Sequence, residues 1–344
     1  YTLYFSPYTI PMIRVAINGF GRIGRAFARL SQNRGIELVA VNDLGSLENL
    51  AYLLKYDTVY GRAMFDVAQQ GEALLINGKE VKFFSEKDPA NLPWKDLNID
   101  VVIESTGVFT EYEKAQAHIT AGASRVIISA PANGAGGETV LMGVNEEKLA
   151  ACRISSNASC TTNAASPVIA ILDEALGIEK AVLSTVHAYT ASQSLVDGPS
   201  KKDMREGRAA AMNIVPTSTS AATAVAAAYE PLKEKFDGIA LRVPIVAGSI
   251  ADITFISKRP TTRGEVNEIL RGAAAAPRWE GIFKTTDNEL VSSDIVGEPF
   301  ASIADLSMTR VVDRNLVKVL AWYDNEMGYA NTLIRHVLKA GEDL

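Results

Sequence analysis

A cysteine set among small hydroxyl residues is the first feature that could do chemistry. Cys160 stands within Ser155-Ser156-Asn157-Ala158-Ser159-Cys160-Thr161-Thr162-Asn163, ahead of a stretch with helical apolar spacing that runs to Leu176. A thiol at a helix N-terminus faces unpaired backbone N–H groups and the positive end of the helix dipole, and both favour the thiolate. A fall of about 2 units from the ordinary value near 8.5 would make thiolate the majority form at neutral pH. Cys152 has only ordinary neighbours and reads as a structural thiol. His187 closes the strand-like run Ala181–Val186. An imidazole held there could serve the thiolate as ion-pair partner and general base, or could equally be a satisfied core histidine. His118 and His336 fall on predicted helices and read as structural or exposed.

The second chemical signature is Gly19-Phe20-Gly21-Arg22-Ile23-Gly24, a G-x-G-x-x-G pattern. It follows the β-rich run Ile13–Asn18 and opens a helical stretch, the context in which the pattern binds a dinucleotide. The first glycine permits the tight turn, the second lets backbone approach a pyrophosphate, and the third packs helix on sheet. The pyrophosphate then sits on free N–H groups at the helix start. Asp43 ends the next strand, about 20 residues on, where an acid bonds ribose hydroxyls and repels a 2′-phosphate, favouring NAD over NADP.

These groups must be positioned by two kinds of architecture. Ile13–Asn18, the glycine turn, Arg22–Gln32 and Ile36–Val41 make a βαβ unit, hence a parallel sheet. Further strand-like runs at Val81–Phe84, Val101–Glu104 and Val126–Ser129, with helical stretches Leu47–Tyr56 and Glu111–Ala121, extend an open, doubly wound sheet. After a long helix, Thr161–Leu176, which Pro167 is expected to bend, strands at Ala181–His187, Ile239–Val246, Ile250–Ser257 and Val317–Trp322 lack regular helical alternation. That predicts an α+β domain with a mainly antiparallel sheet. An irregular polar stretch, Thr190–Arg208, and an Ala-rich helix, Ser220–Tyr229, lie between those strands, and a last helix, Glu326–Ala340, packs back on the first domain. The expected division is an N-terminal extension (1–11), a first domain (12–159) completed by the C-terminal helix (326–344), and a catalytic domain (160–325). Tyr1–Pro11 carries no basic residue and two prolines, so a secretory signal is not expected; Met12 makes a natural start.

Composition excludes several classes. The 344 residues are 47% hydrophobic and 22% charged with net charge −6, a globular profile without the basic face that nucleic acid requires. Two cysteines cannot build a disulfide framework, and three scattered histidines show no ligand spacing, so no metal is expected. No apolar run approaches the ~18 residues of a membrane span, and the protein reads as cytoplasmic.

Seven segments, in order, carry a family resemblance: Asn18–Arg25 (NGFGRIGR), Leu53–Asp57 (LLKYD), Ser105–Phe109 (STGVF), Ser156–Asn163 (SNASCTTN), His187–Thr190 (HAYT), Arg242–Pro244 (RVP) and Trp322–Glu326 (WYDNE). Together they resemble the phosphorylating glyceraldehyde-3-phosphate dehydrogenases, from about Ile13 to the C-terminus, with SNASCTTN the most specific. The resemblance implies an α/β chain with an N-terminal Rossmann NAD-binding domain and an α+β catalytic domain. It implies that Cys160 attacks the aldehyde, that His187 handles the hydroxyl proton, and that inorganic phosphate releases the acyl group from its thioester. It further implies that Asn325 orients the nicotinamide carboxamide, and that Lys87 and Ser129 line the cofactor site with Arg22 and Ile23. Thr190 and Arg242 match the substrate-phosphate pocket; Ser159, Thr161, Thr219 and Ser220 match the attacking-phosphate pocket. A homotetramer is implied too, with Thr190–Arg208 at a subunit interface.

Some positions depart from the common family pattern. Arg205-Glu206 stands where many members have two arginines, leaving Arg208 to serve phosphate; Ser220 replaces a glycine, Ala191-Ser192 an Asn-Asp pair, Ala164 a second cysteine and Met327 a tryptophan. Two rival readings remain: an erythrose-4-phosphate dehydrogenase, whose acyl-enzyme is hydrolysed, and a non-enzymatic NAD-binding redox sensor.

Overall fold

The computed structural model describes residues 12–200, 203–342 and 344; the expectation for Tyr1–Pro11 lies outside them. The opening βαβ unit forms as its pattern predicts: strand Ile13–Asn18, helix Arg22–Leu30, strand Ile36–Asn42, with the two strands parallel. Around it grows a nine-stranded sheet. In spatial order its strands are Glu138–Thr139, Ile154–Ser156, Arg125–Ile128, Val101–Glu104, Ile13–Asn18, Ile36–Asn42, Lys79–Phe84, Ala73–Ile76 and Val67–Gln70. The first seven run parallel, and the last two turn antiparallel at one edge. The central strands are apolar and fully buried (Val15, Ile17, Val101, Ile103, Ile127), as expected where helices cover both faces.

The order reverses on either side of Ile13–Asn18, and the Gly19 turn leaves the carboxyl end of that strand. That is the switch point at which such sheets bind ligands.

A second, seven-stranded sheet follows: Val215–Ser218, Phe236–Val243, Ile178–Ala188, Ser249–Ser257, Leu316–Tyr323, Ser302–Val312 and Phe283–Thr286. Four of its six pairings are antiparallel. Along Ile178–Ala188, Ala181, Leu183, Thr185 and His187 point inward while Val182, Ser184 and Val186 do not. The inner face packs on the helix Cys160–Leu176, most of which is buried, and on the helix Arg263–Ala274. The fold is α/β, a mostly parallel sheet joined to a mainly antiparallel one.

The helix Met327–Gly341 returns from the second sheet to pack against Arg22–Leu30 of the first. Arg22 ties the same two regions together: its guanidinium pairs with Asp57 (2.7 Å) and with both carboxylate oxygens of Glu326. Among the described residues, no helix is long and apolar enough to cross a membrane.

Candidate active site

Ser159 caps the helix Cys160–Leu176 by accepting from Thr162 N (3.1 Å), so Cys160 is its first residue. No acidic residue occupies the first turn, which leaves the N–H groups free to favour an anion. The chain reaches that cap through Ala158, whose φ of 52° lies in the left-handed region. For a residue with a Cβ this costs about 1 kcal/mol and must be held by its surroundings.

The second sheet brings up the partner. His187 lies on the inner face of Ile178–Ala188, 3% exposed, with its Nε2 3.3 Å from Cys160 Sγ. The parallel register sets Arg242 directly beside His187, and Arg242 Nη1 approaches His187 Nδ1 to 2.5 Å. Nδ1 also lies 2.6 Å from Ala188 O, and in the tautomer that donates to that carbonyl the Nε2 lone pair faces the thiol. Tyr323 closes the floor: its ring meets His187 edge-on, and its hydroxyl lies 2.8 Å from Thr161 Oγ1 and 2.7 Å from Thr185 Oγ1.

Burial disfavours a lone charge on either reacting group. It pushes the Cys160 thiol above its ordinary value, although Arg242, Thr161 and the N–H groups at the helix start all pull the other way. It also pushes His187 down to about 3, with Arg242 adding to the effect. The expectation that the helix start alone would yield a thiolate is therefore corrected: desolvation outweighs it. Charge separation is favourable only as a pair, when the Sγ proton passes to Nε2 and each ion faces the other. Cys152 is half-buried and its thiol is raised by burial, as a structural thiol should be.

The glycine motif opens onto a cavity of about 360 Å³ lined by Gly19, Gly21, Asp43, Lys87, Asn42 and Thr106, among others. Gly19 has φ +93°, and a Cβ there would lie 2.5 Å from Thr106 N; a Cβ on Gly24 would lie 2.4 Å from Gly19 O. At Gly21, by contrast, a Cβ would meet nothing within 4 Å, so the backbone is open to an approaching phosphate. The helix Arg22–Leu30 has no acid in its first turn. Asp43 is fixed at the mouth, accepting from Phe20 N (2.6 Å) and Gly45 N (2.7 Å). These residues fit a dinucleotide.

Of the other residues singled out, Arg22 turns its side chain away to Asp57 and Glu326, leaving only backbone for a ligand. Ile23 is the second residue of the same helix, and Ser129 follows strand Arg125–Ile128, its N–H on Glu104 O (2.9 Å). Asn325 is buried and accepts from Ser249 Oγ (3.1 Å), which in turn accepts from Ala188 N beside His187. The Thr161 hydroxyl is engaged by Tyr323 rather than free. Thr190 Oγ1 lies 3.0 Å from Ser192 Oγ, Thr219 Oγ1 accepts from Ala221 N (3.1 Å), and Ser220 precedes the helix Ala221–Ala228. Arg208 pairs with Asp197 (3.0 Å) on the surface, and Glu206 accepts from Thr217 (2.9 Å).

His118 and His336 are both fully buried, which removes the exposed alternative for each. His118 Nδ1 accepts from Trp94 Nε1 (3.0 Å), so its Nε2–H faces Glu104 (3.1 Å). Glu104 also accepts from Asn18 (2.6 Å) and Thr106 N (2.8 Å) under the glycine-lined cavity. Glu104, Asn18, Asn42 and Tyr323 were not singled out from sequence. Only the polar residues interrupting apolar strand ends hinted at them.

Two family models match the chain: "Glyceraldehyde 3-phosphate dehydrogenase, NAD binding domain" over residues 13–112 and "Glyceraldehyde 3-phosphate dehydrogenase, C-terminal domain" over residues 159–325. Curated relatives match over nearly the whole length. The chain is 47% identical over 336 residues to "Glyceraldehyde-3-phosphate dehydrogenase 2" of Streptomyces avermitilis, covering 96% of this chain and 99% of that one. It is 49% identical over 341 residues to glyceraldehyde-3-phosphate dehydrogenase of Mycobacterium avium, with 96% and 99% covered. It is 46% identical over 326 residues to that of Zymomonas mobilis, with 94% and 96% covered. With an NAD-binding half and a Cys–His half both matched, the chain belongs to the glyceraldehyde-3-phosphate dehydrogenase family.

Proposed function

We infer that this chain oxidises glyceraldehyde 3-phosphate with NAD and inorganic phosphate, giving 1,3-bisphosphoglycerate through a thioester on Cys160. The observation that carries the reading is Cys160 Sγ at a helix start, 3.3 Å from His187 Nε2. The sulfur attacks the aldehyde carbon as its proton moves to Nε2, and Nε2 then gives that proton to the new alkoxide, forming a thiohemiacetal and freeing the ring to act as a base. The N–H groups at the helix start stabilise the oxygen that carries the developing charge. His187 then takes the hydroxyl proton as the C–H electron pair leaves; bound NAD supplies the hydride acceptor. Phosphate attacks the resulting thioester, expels the Cys160 thiolate and forms the acyl phosphate.

Gly19, Gly21, Gly24, Asp43 and Lys87, with the backbone of Arg22 and Ile23, would hold NAD at the switch point, and Ser129 and Asn325 would complete the cofactor site. Arg242 and Thr190 are assigned to the substrate phosphate. Ser159, Thr161, Thr219, Ser220 and Arg208 are assigned to the attacking phosphate, which requires Thr161 to leave Tyr323 and Arg208 to leave Asp197. The division at residues 159–160, with the last helix completing the first domain, is supported by its packing on Arg22–Leu30.

A homotetramer is part of the same reading. Supporting it is the outer face of the second sheet, where Val182 is 59% exposed and Ile239 51%, and the stretch carrying Leu195 and Val196, each 73% exposed. Free Cys152 and Cys160 suit a reducing compartment, which supports the cytoplasm.

The test is NADH formation from glyceraldehyde 3-phosphate and NAD, with and without phosphate, using Cys160→Ser as control. Turnover that needs both phosphate and Cys160 is expected. Turnover indifferent to phosphate would replace this reading with a hydrolytic one, and erythrose 4-phosphate would be the next substrate to try. NAD binding without turnover would leave the sensor.

A further inference from the structure

The helix Met327–Gly341 grips the turn that hands the chain from the parallel sheet to Cys160. Three of its residues, spaced to share one face, reach that turn. Tyr329 Oη donates to Ala158 O (2.9 Å), and Thr332 Oγ1 accepts from Asn157 Nδ2 (3.1 Å) while donating to Tyr329 O (2.8 Å). The third is His336, which no step of the reaction uses.

His336 is 0% exposed, and both ring nitrogens are spoken for: Nδ1 lies 3.1 Å from Asn157 Oδ1 and Nε2 lies 2.8 Å from Ser155 Oγ. The Asn157 amide is oriented by its Nδ2 bond to Thr332, so its oxygen must accept and His336 Nδ1 must carry the proton. The Ser155 hydroxyl then donates to Nε2. Asn157 is itself 0% exposed, and its carbonyl oxygen accepts from Asn163 Nδ2 (2.8 Å) inside the first turn of the Cys160 helix. The chain of bonds therefore runs from Ser155 through His336 and Asn157 to the helix start, spanning the left-handed residue Ala158. Burial with no acid partner keeps the ring neutral, pushed down to about 3.

We propose that His336, with Ser155, is a positioning residue for Cys160: by fixing the Asn157 amide it sets the turn that delivers the thiol to the helix start and to His187. The proposal rests on the reading of Cys160 as nucleophile.

The experiment measures kcat, KM and the rate of Cys160 alkylation by iodoacetamide on the NAD-loaded protein. His336→Leu keeps apolar bulk but leaves Asn157 Oδ1 and Ser155 Oγ without partners. It is expected to lower kcat and alkylation together by about 10-fold while KM stays within about twofold, since displacing a reacting group by a fraction of an ångström costs rate rather than binding. His336→Asn places an amide where Nδ1 stood and is expected to recover both rates to within about threefold of the parent. Unchanged kcat and alkylation in folded His336→Leu overturn the proposal. If His336→Leu does not fold, Ser155→Ala carries the test: a loss of about threefold in alkylation supports the positioning role, and an unchanged rate overturns it. Cys160→Ser separates the two levels, because turnover retained there would remove the nucleophile reading itself.

Discussion

Arg242 and His187 are register partners on adjacent parallel strands, and their side chains meet at 2.5 Å. A guanidinium so close favours anions nearby and disfavours an imidazolium. It pulls the Cys160 thiol down against burial and helps to hold His187 near 3. Arg242→Leu should therefore raise both groups. At neutral pH, Cys160 alkylation slows by about 10-fold, and the aldehyde KM rises with the lost phosphate partner. Alkylation that is faster in the variant would contradict the assignment.

His187→Asn keeps a polar side chain but presents no base to Sγ. Turnover should fall by about 10²–10⁴-fold, the usual worth of a general base, with NAD affinity unchanged. Stopped-flow detection of the first turnover checks it. A variant slowed only in product release would place His187 outside the chemistry.

Asp43→Asn removes the charge at the mouth of the glycine-lined cavity, and its single amide oxygen can replace only one of the two carboxylate oxygens that accept separately from Phe20 N and Gly45 N. NAD affinity should fall by about 10-fold, the value of one hydrogen bond to a charged group, and the preference over NADP should narrow. Isothermal titration with both dinucleotides decides.

Acid should unfold the protein early. His187 and His336 are both held near 3 in the folded chain, against about 6.5 unfolded. The folded-state value is lowered, so the unfolded chain binds protons first as pH falls through 6.5. Stability is lost from there down to about 3. Each ring costs about 1.4 kcal/mol per pH unit in that window, or about 2 kcal/mol by pH 5. Urea midpoints at pH 7 and pH 5 should differ accordingly, and a flat profile would sink the idea. His187→Asn should lessen the slope.

The parts legible in sequence are those fixed by local pattern. Strands Ile13–Asn18 and Val101–Glu104 have the bounds their apolar runs suggest, and the glycine turn lies where its spacing put it. Cys160 begins a helix because Ser159 caps it, a local relation. What was not legible depends on distance along the chain or on burial. The His187–Arg242 encounter is set by pairing of strands some 55 residues apart, which no periodicity announces. The strand Ser302–Val312 and the hairpin Val67–Ile76 mix polar residues that mask their pattern. The thiol's direction depended on how dry the site is, and hydroxyl neighbours suggested a wetter one than the inner face of the second sheet provides. His336 carried no signal at all, since a histidine on an apolar helix face gains meaning only when Asn157 is opposite.

The grip of Met327–Gly341 on Asn157 and Ala158 also sets an order of events in biosynthesis. The cysteine leaves the ribosome well before the helix that seats it, which lies far downstream in the sequence. Until then the nascent thiol sits in a turn whose left-handed residue has only the local bond from Ala158 N to Ser156 Oγ (2.9 Å) and lacks the hold of Tyr329. A partly synthesised chain would thus carry an unarmed cysteine, and reactivity would arrive only when the helix Met327–Gly341 folds back.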